Sequence, residues 1–152
     1  MSDASLSELE THLGYWLRLV SNQVSGAFAR ALQQRQISVA EWVALRHLYA
    51  RPGMTPGEIA ESLGMTRGAI SKVLDKLEAK ELVVSQRKAE DNRSQTLSLT
   101  PKGTTLLPEL AAIADENDDA FFRCLSADEQ ALLRQLLQKI TDANQWNAVP
   151  VE

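Results

Sequence analysis

The hydrophobic period of this chain changes once between Thr55 and Thr100, and that change restricts what the chain can fold into. Before Glu81 the apolar residues recur at three- and four-residue steps; after it they alternate with polar ones. The first helical pattern opens on Thr55, has Pro56 at its first helical position, and carries Glu58 where a Thr-x-x-Glu capping box needs it. Ile59, Ala60 and Leu63 make its apolar face, and Gly64 follows, where a left-handed backbone is most easily taken up. Thr66 caps a second pattern whose buried stripe is Ile70, Val73, Leu74 and Leu77. Leu82 and Val84 then alternate with Val83 and Ser85, and Leu97 and Leu99 with Thr96 and Ser98. A polar loop, Arg87 to Ser94, separates the two alternating runs. The reading is a helix–turn–helix over about 55–80 followed by a β-hairpin over about 82–100, which together make a winged helix.

Such a unit usually reads DNA, and its exposed residues suit that task. Away from the buried stripe the second helix presents Arg67, Gly68, Ser71, Lys72, Asp75 and Lys76. The first four, each one helical turn or less from the next, share a face near the amino end, the part of a recognition helix that meets base edges in the major groove. Any solvated helix face has some of this character; the hairpin shifts the balance. Its loop carries Arg87, Lys88, Asn92 and Arg93, cations at both shoulders of a tip suited to a minor groove or a phosphate. Asp91 would repel phosphate and is better placed to orient Arg93. With Thr55 and Thr66 at the helix starts, these form the expected DNA-binding set. The alternative is a winged-helix module that binds another protein, which has no need of a cationic tip.

The segment from Thr55 to Val83, the Asp-Asn-Arg-Ser tetrapeptide at Asp91 to Ser94 and the Leu-Thr-x-x-Gly element at Leu99 to Gly103 resemble the MarR family of bacterial transcriptional regulators. The likeness covers most of the chain, because the flanking helices also fall where that family has them. It implies a mainly α fold with a small β-hairpin wing, flanked by amino- and carboxyl-terminal dimerisation helices. It also implies that Thr66 to Lys80 is the recognition helix, with Arg93 in the minor groove and Asp91 as its orienting partner.

The flanks read accordingly. Ser5 to Gln34 is a long helical pattern, with Ser5 and Glu8 as a capping box and Leu6, Leu9, Leu13, Leu17, Val20, Val24 and Phe28 as its stripe. Ser38 to Glu41 is another capping box, opening a support helix to about Ala50 with Trp42, Leu45, Leu48 and Tyr49 on its apolar side. A helix from Thr100-Pro101 carries Leu106 to Leu125 and should be kinked or weakened by Pro108. Ser126 to Glu129 caps a final helix reaching towards Trp146, and Val149 to Glu152 reads as a loose tail. Residues 5–34 and 101–146 therefore form the expected dimerisation part, and 38–100 the DNA-binding part, of one domain spanning 1–152. Too little chain surrounds the amino-terminal helix to cover its stripe completely. It reads as a core helix of one domain or as one that packs partly against a second copy, and the leftover apolar residues at the other end of the chain favour the second. One recognition helix reads too few base pairs to select a genomic site, so a homodimer on an inverted repeat is expected.

Composition narrows the function further. A length of 152 residues suits one domain, and a net charge of −4 argues against coating nucleic acid by charge alone. Cations concentrate between Arg67 and Arg93, while the carboxyl third is acidic. No apolar run is long enough for a membrane span and no secretory signal is visible, so a cytoplasmic protein is expected. No phosphate loop or nucleophile elbow points to an enzyme. His12 and His47 stand apart and there is a single cysteine, so neither a metal site nor any cofactor is expected. Cys124, beside Phe122 and Leu125, reads as packing rather than as a redox sensor. Regulators resembling this one often bind small aromatic or phenolic acids between the dimer helices and the winged helix. Tyr15, Trp16, Trp42 and Arg46 are the residues that would line such a cleft, though each also fits the core.

Overall fold

A computed structural model describes residues 5–88, 91–147 and 149–151, with backbone alone at 88 and 91–94. The elements run α1 (Leu13–Gln33), α2 (Val39–Ala50), α3 (Pro56–Leu63), α4 (Arg67–Ala79), β1 (Val83–Lys88), β2 (Asp91–Leu99), α5 (Pro101–Phe122) and α6 (Ala127–Ala143). The fold is mainly helical with one antiparallel hairpin, as the periods of the sequence require.

The local signals of the central stretch work as their chemistry dictates. Thr55 Oγ1 accepts from the Glu58 amide at 3.2 Å and Thr66 Oγ1 from the Ala69 amide at 3.1 Å, each satisfying a donor that the helix start leaves open. At Thr55 only that half of the capping box forms, since the Glu58 carboxylate faces Arg51 at 3.9 Å. Gly64 takes a φ of 66°, which reverses the chain between α3 and α4. The boxes at Ser38/Glu41 and Ser126/Glu129 are complete. In the second, the Ser126 amide hydrogen-bonded to Glu129 holds that carboxyl below the usual carboxylate range.

The core lies in the winged helix. Leu45, Leu48, Ile59, Leu63, Ile70, Leu77 and Leu97 are almost wholly enclosed, joined by Leu32 from the end of α1 and Leu110 from α5. Residues Val83 to Arg87 pair in register with Leu99 to Gln95, and the register slips between Arg87 and Lys88. The hairpin has an added neighbour: the Leu97 amide donates to the Met54 carbonyl at 2.8 Å, and the Gly53 amide to the Leu97 carbonyl at 3.0 Å. The residues before α3 therefore dock onto β2, fixing the wing against the helix–turn–helix.

Several expectations need correction. The first α-helix begins at Leu13; Leu9–Thr11 is a short 3₁₀ turn, and Ser5 and Glu8 make no capping box. Leu6 is 94% exposed, so this end of the chain has no packing to hold it helical. In β1 the inward residue is Val83, while Val84 is exposed; Leu82 is buried just ahead of the strand. The cause is Glu81, whose φ of 60° turns the chain by one residue before pairing begins. Asp91 to Ser94, expected in the loop, have strand backbone within β2. Helix α6 ends at Ala143, leaving Trp146 outside it and exposed. Val149 and Val151 are not loose: both pack partly buried against the core. Tyr49 faces solvent rather than the apolar side of α2.

Candidate nucleic-acid interface

The exposed face of α4 is set by the burial of its opposite side. Ile70, Leu74 and Leu77 are anchored in the core, which turns Arg67, Gly68, Ser71, Lys72, Asp75 and Lys76 outward. All six are exposed. A Cβ on Gly68 would meet nothing within 4 Å, so no internal contact calls for a glycine there. Its effect is outward: the amino end of α4 stays low enough for another surface to approach closely. Thr66 holds the start of this helix, and Thr55 the start of α3 beside it, through their hydroxyls.

Arg67 is less free than its exposure suggests. Its guanidinium lies over Gly57, where a Cβ would come within 2.6 Å of Nη2. The missing side chain at Gly57 thus gives Arg67 a resting place on the first turn of α3. Arg51, exposed at the end of α2, adds a cation near the same turn through its contact with Glu58. Sequence reading passed over both features, because Arg51-Pro52-Gly53 reads as a helix stop and Gly57 as an ordinary early-helix residue.

In the wing, Arg87 is exposed on β1 opposite Gln95, and Lys88 is paired with Asp91 across the hairpin. The side chains of Lys88, Asp91, Asn92 and Arg93 lie outside the described residues, and with them the expected Asp91–Arg93 pairing. The four residues expected to line a ligand cleft make separate contacts within the single chain. Tyr15 and Trp16 stack edge-to-face on each other with centroids 5.3 Å apart, and Trp42 packs on Phe28 at 6.5 Å. Arg46 lies over the Tyr49 ring, 5.5 Å from its centroid. These two residues, with Leu107, Pro108 and Ala111 of α5, line a depression of about 210 Å³. Cys124 is exposed at the end of α5, contrary to the expectation that it packs. His47 is half-buried, with Nδ1 at 3.0 Å from the Val43 carbonyl. Among the described residues no three His, Cys, Asp or Glu side chains gather as a metal site, and no helix is long and apolar enough to cross a membrane.

A helix–turn–helix with an exposed second helix and a two-stranded hairpin behind it defines a winged-helix protein. Residues 37–95 match the MarR family. An uncharacterised HTH-type transcriptional regulator of Bacillus cereus is 29% identical over 143 residues, covering 90% of this chain and 93% of that protein. An HTH-type transcriptional repressor of Mycobacterium tuberculosis is 29% identical over 128 residues, covering 84% and 92%. Among solved structures, a mutant MarR from E. coli complexed with operator DNA superposes with a TM-score of 0.74 at 25% identity, covering 84% of this chain and 92% of that one. Over residues 37–95, the helix–turn–helix and most of the wing, the chain is similar to the MarR family.

Proposed function

We propose that this protein is a sequence-specific DNA-binding transcription regulator, working in the cytoplasm as a homodimeric repressor on an inverted-repeat operator. The observation that carries the reading is the α4 face of Arg67, Gly68, Ser71 and Lys72, exposed on the helix that leads into the wing. Base edges are read by short and cationic side chains at the amino end of such a helix, and phosphates by the cations around it. Arg87 on the wing, with Arg93 and Asn92 at its tip, extends the contact to the adjacent groove.

The dimer follows from what the single chain leaves uncovered. Helix α6 buries none of its residues, and Leu32 is the only buried residue of α1. Leu132 and Leu136 are 54% and 48% exposed, and Leu13 is 79% exposed. A 17-residue helix without tertiary packing is marginal in water, so α6 needs a partner surface. A second copy supplies one, and places a second recognition helix at the spacing of successive major grooves.

A small aromatic acid is the proposed effector. Arg46 offers its carboxylate a cation, and Tyr49, Leu107 and Pro108 offer its ring apolar walls. At about 210 Å³ the depression is smaller than the ~300–1,000 Å³ of most ligand sites, so the second subunit is needed to complete the cleft. The ligand would act by favouring a spacing of the recognition helices that the operator does not fit.

Selection of duplexes from a random library with purified protein tests the reading. An enriched inverted repeat, bound by a dimer and weakened by salt, is expected. A folded dimer that enriches no sequence at low salt would overturn it in favour of a protein-binding module.

A further inference from the structure

Lys80 closes the recognition helix, yet its side chain is engaged entirely by other parts of the molecule. Its Nζ donates to Glu41 Oε2 at 2.7 Å and to the backbone carbonyl of Gln36. Gln36 lies just past α1 with a φ of 60°, in a reversal closed by the Ile37 amide on the Leu32 carbonyl at 3.2 Å. Glu41 belongs to the first turn of α2 and is 3% exposed, with Oε1 accepting from the Ser38 amide at 3.1 Å. One ammonium is therefore lodged between the exit of α1 and the entry of α2.

The residues that follow are held from a third side. The Lys80 carbonyl accepts from Lys102 Nζ at 3.0 Å, and the Glu81 carbonyl from Thr100 Oγ1 at 2.6 Å. The Leu82 carbonyl accepts from the Thr100 amide at 3.0 Å. Arg35, beside Gln36, is ion-paired with Glu109 of α5. The ends of α1, α2, α4 and α5 thus meet around Lys80. A buried carboxylate stripped of water is costly to leave without its cation, so the carboxyl end of α4 cannot turn on this scaffold while the pair is intact.

We infer that the Glu41–Lys80 pair is a positioning device that sets the angle of α4 against α1, α2 and α5, and with it the separation of the two recognition helices in a dimer. Lys80 stands at the opposite end of α4 from the expected base-reading residues Arg67 to Lys72. The inference rests on the dimeric DNA-binding reading above.

The test is a spin-label distance between the two Glu78→Cys positions of a Cys124→Ser dimer, combined with affinity for the selected duplex. Lys80→Met should broaden the distance distribution. Affinity for the two-half-site duplex should fall about tenfold, with single-half-site affinity changed less than about twofold, because only the paired geometry is lost. Lys80→Arg should restore both. Glu41→Gln, which keeps an acceptor for the Ser38 amide, should reproduce the broadening in a protein that still melts cooperatively. An unchanged distribution in both folded variants, or an equal loss on the two duplexes, would overturn the inference alone. A wild type with no interspin distance would overturn the dimer reading and this inference with it.

Discussion

Gly103 stands so close to Leu82 that a Cβ on it would lie 2.2 Å from the Leu82 carbonyl oxygen. Gly103 is in the first turn of α5, and its amide donates to Thr100 Oγ1 at 3.1 Å. The same carbonyl accepts from the Thr100 amide, so α5 starts directly against the chain entering β1. This is the physical content of the Leu-Thr-x-x-Gly element: the threonine ties the helix start to the wing, and the glycine lets the two backbones touch. Backbone atoms on both sides cannot yield as a side chain would. Gly103→Ala should therefore cost about 2–3 kcal/mol in chemical denaturation, despite alanine's higher helix propensity. A stabilised variant would show that the close approach is not required.

The face of α4 separates into reading and holding residues. Arg67→Ala and Ser71→Ala should change which duplex is preferred, each base contact being worth about 1–3 kcal/mol of discrimination. Lys76→Ala, a turn further on, should weaken all duplexes about equally and reduce the salt slope by about one. Competition binding on a panel of single-base variants distinguishes the two patterns. Identical behaviour of the three variants would remove base reading from the amino end of α4.

The apolar face of α6 should be an interface between subunits. Leu136→Glu places a charge in each copy where burial of leucine contributes about 1.5–3 kcal/mol, so the dimer dissociation constant should rise about a hundredfold or more. Sedimentation velocity over a concentration series reads this directly. A dimer as tight as the wild type would place the interface elsewhere.

The capping box of α6 makes part of the stability depend on pH. Hydrogen bonding by Ser126 lowers the folded pKa of Glu129, so its contribution is present above the ordinary glutamate value and is lost as pH falls through the lower folded one. The melting temperature of Glu129→Gln should fall below that of the wild type near neutral pH, and the gap should close in acid. A gap constant with pH would mean that the ionised form contributes nothing of its own.

Much of the architecture was legible because its signals are local. Thr55, Thr66, Ser38 and Ser126 cap helices with groups three residues away, and Gly64 reverses the chain at its own φ. The stripe of Ile70, Leu74 and Leu77 also determines which residues of α4 face outward, so the reading face follows from the helical period alone. What misled was also local. Glu81 adopts a left-handed conformation that nothing in its residue type demands, and it moved the burial pattern of β1 by one residue. The leucines before Leu13 carry a helical period but have nothing in the single chain to pack against, and here the period did not become an α-helix.

By itself, then, the order of residues determined the starts of α2, α3, α4 and α6, the helix–turn–helix, the hairpin and the outward face of α4. All but the hairpin depend on interactions within a few positions along the chain, and the hairpin pairs strands that are neighbours in sequence. Only the tertiary structure decided that Lys80 pairs with Glu41, that Arg67 rests on Gly57, that Met54 joins the wing and that Gly103 abuts Leu82. Those contacts join residues far apart in sequence, or backbone groups that carry no residue-type signal. They depend on how the helices pack together, and packing is a property of the whole folded chain.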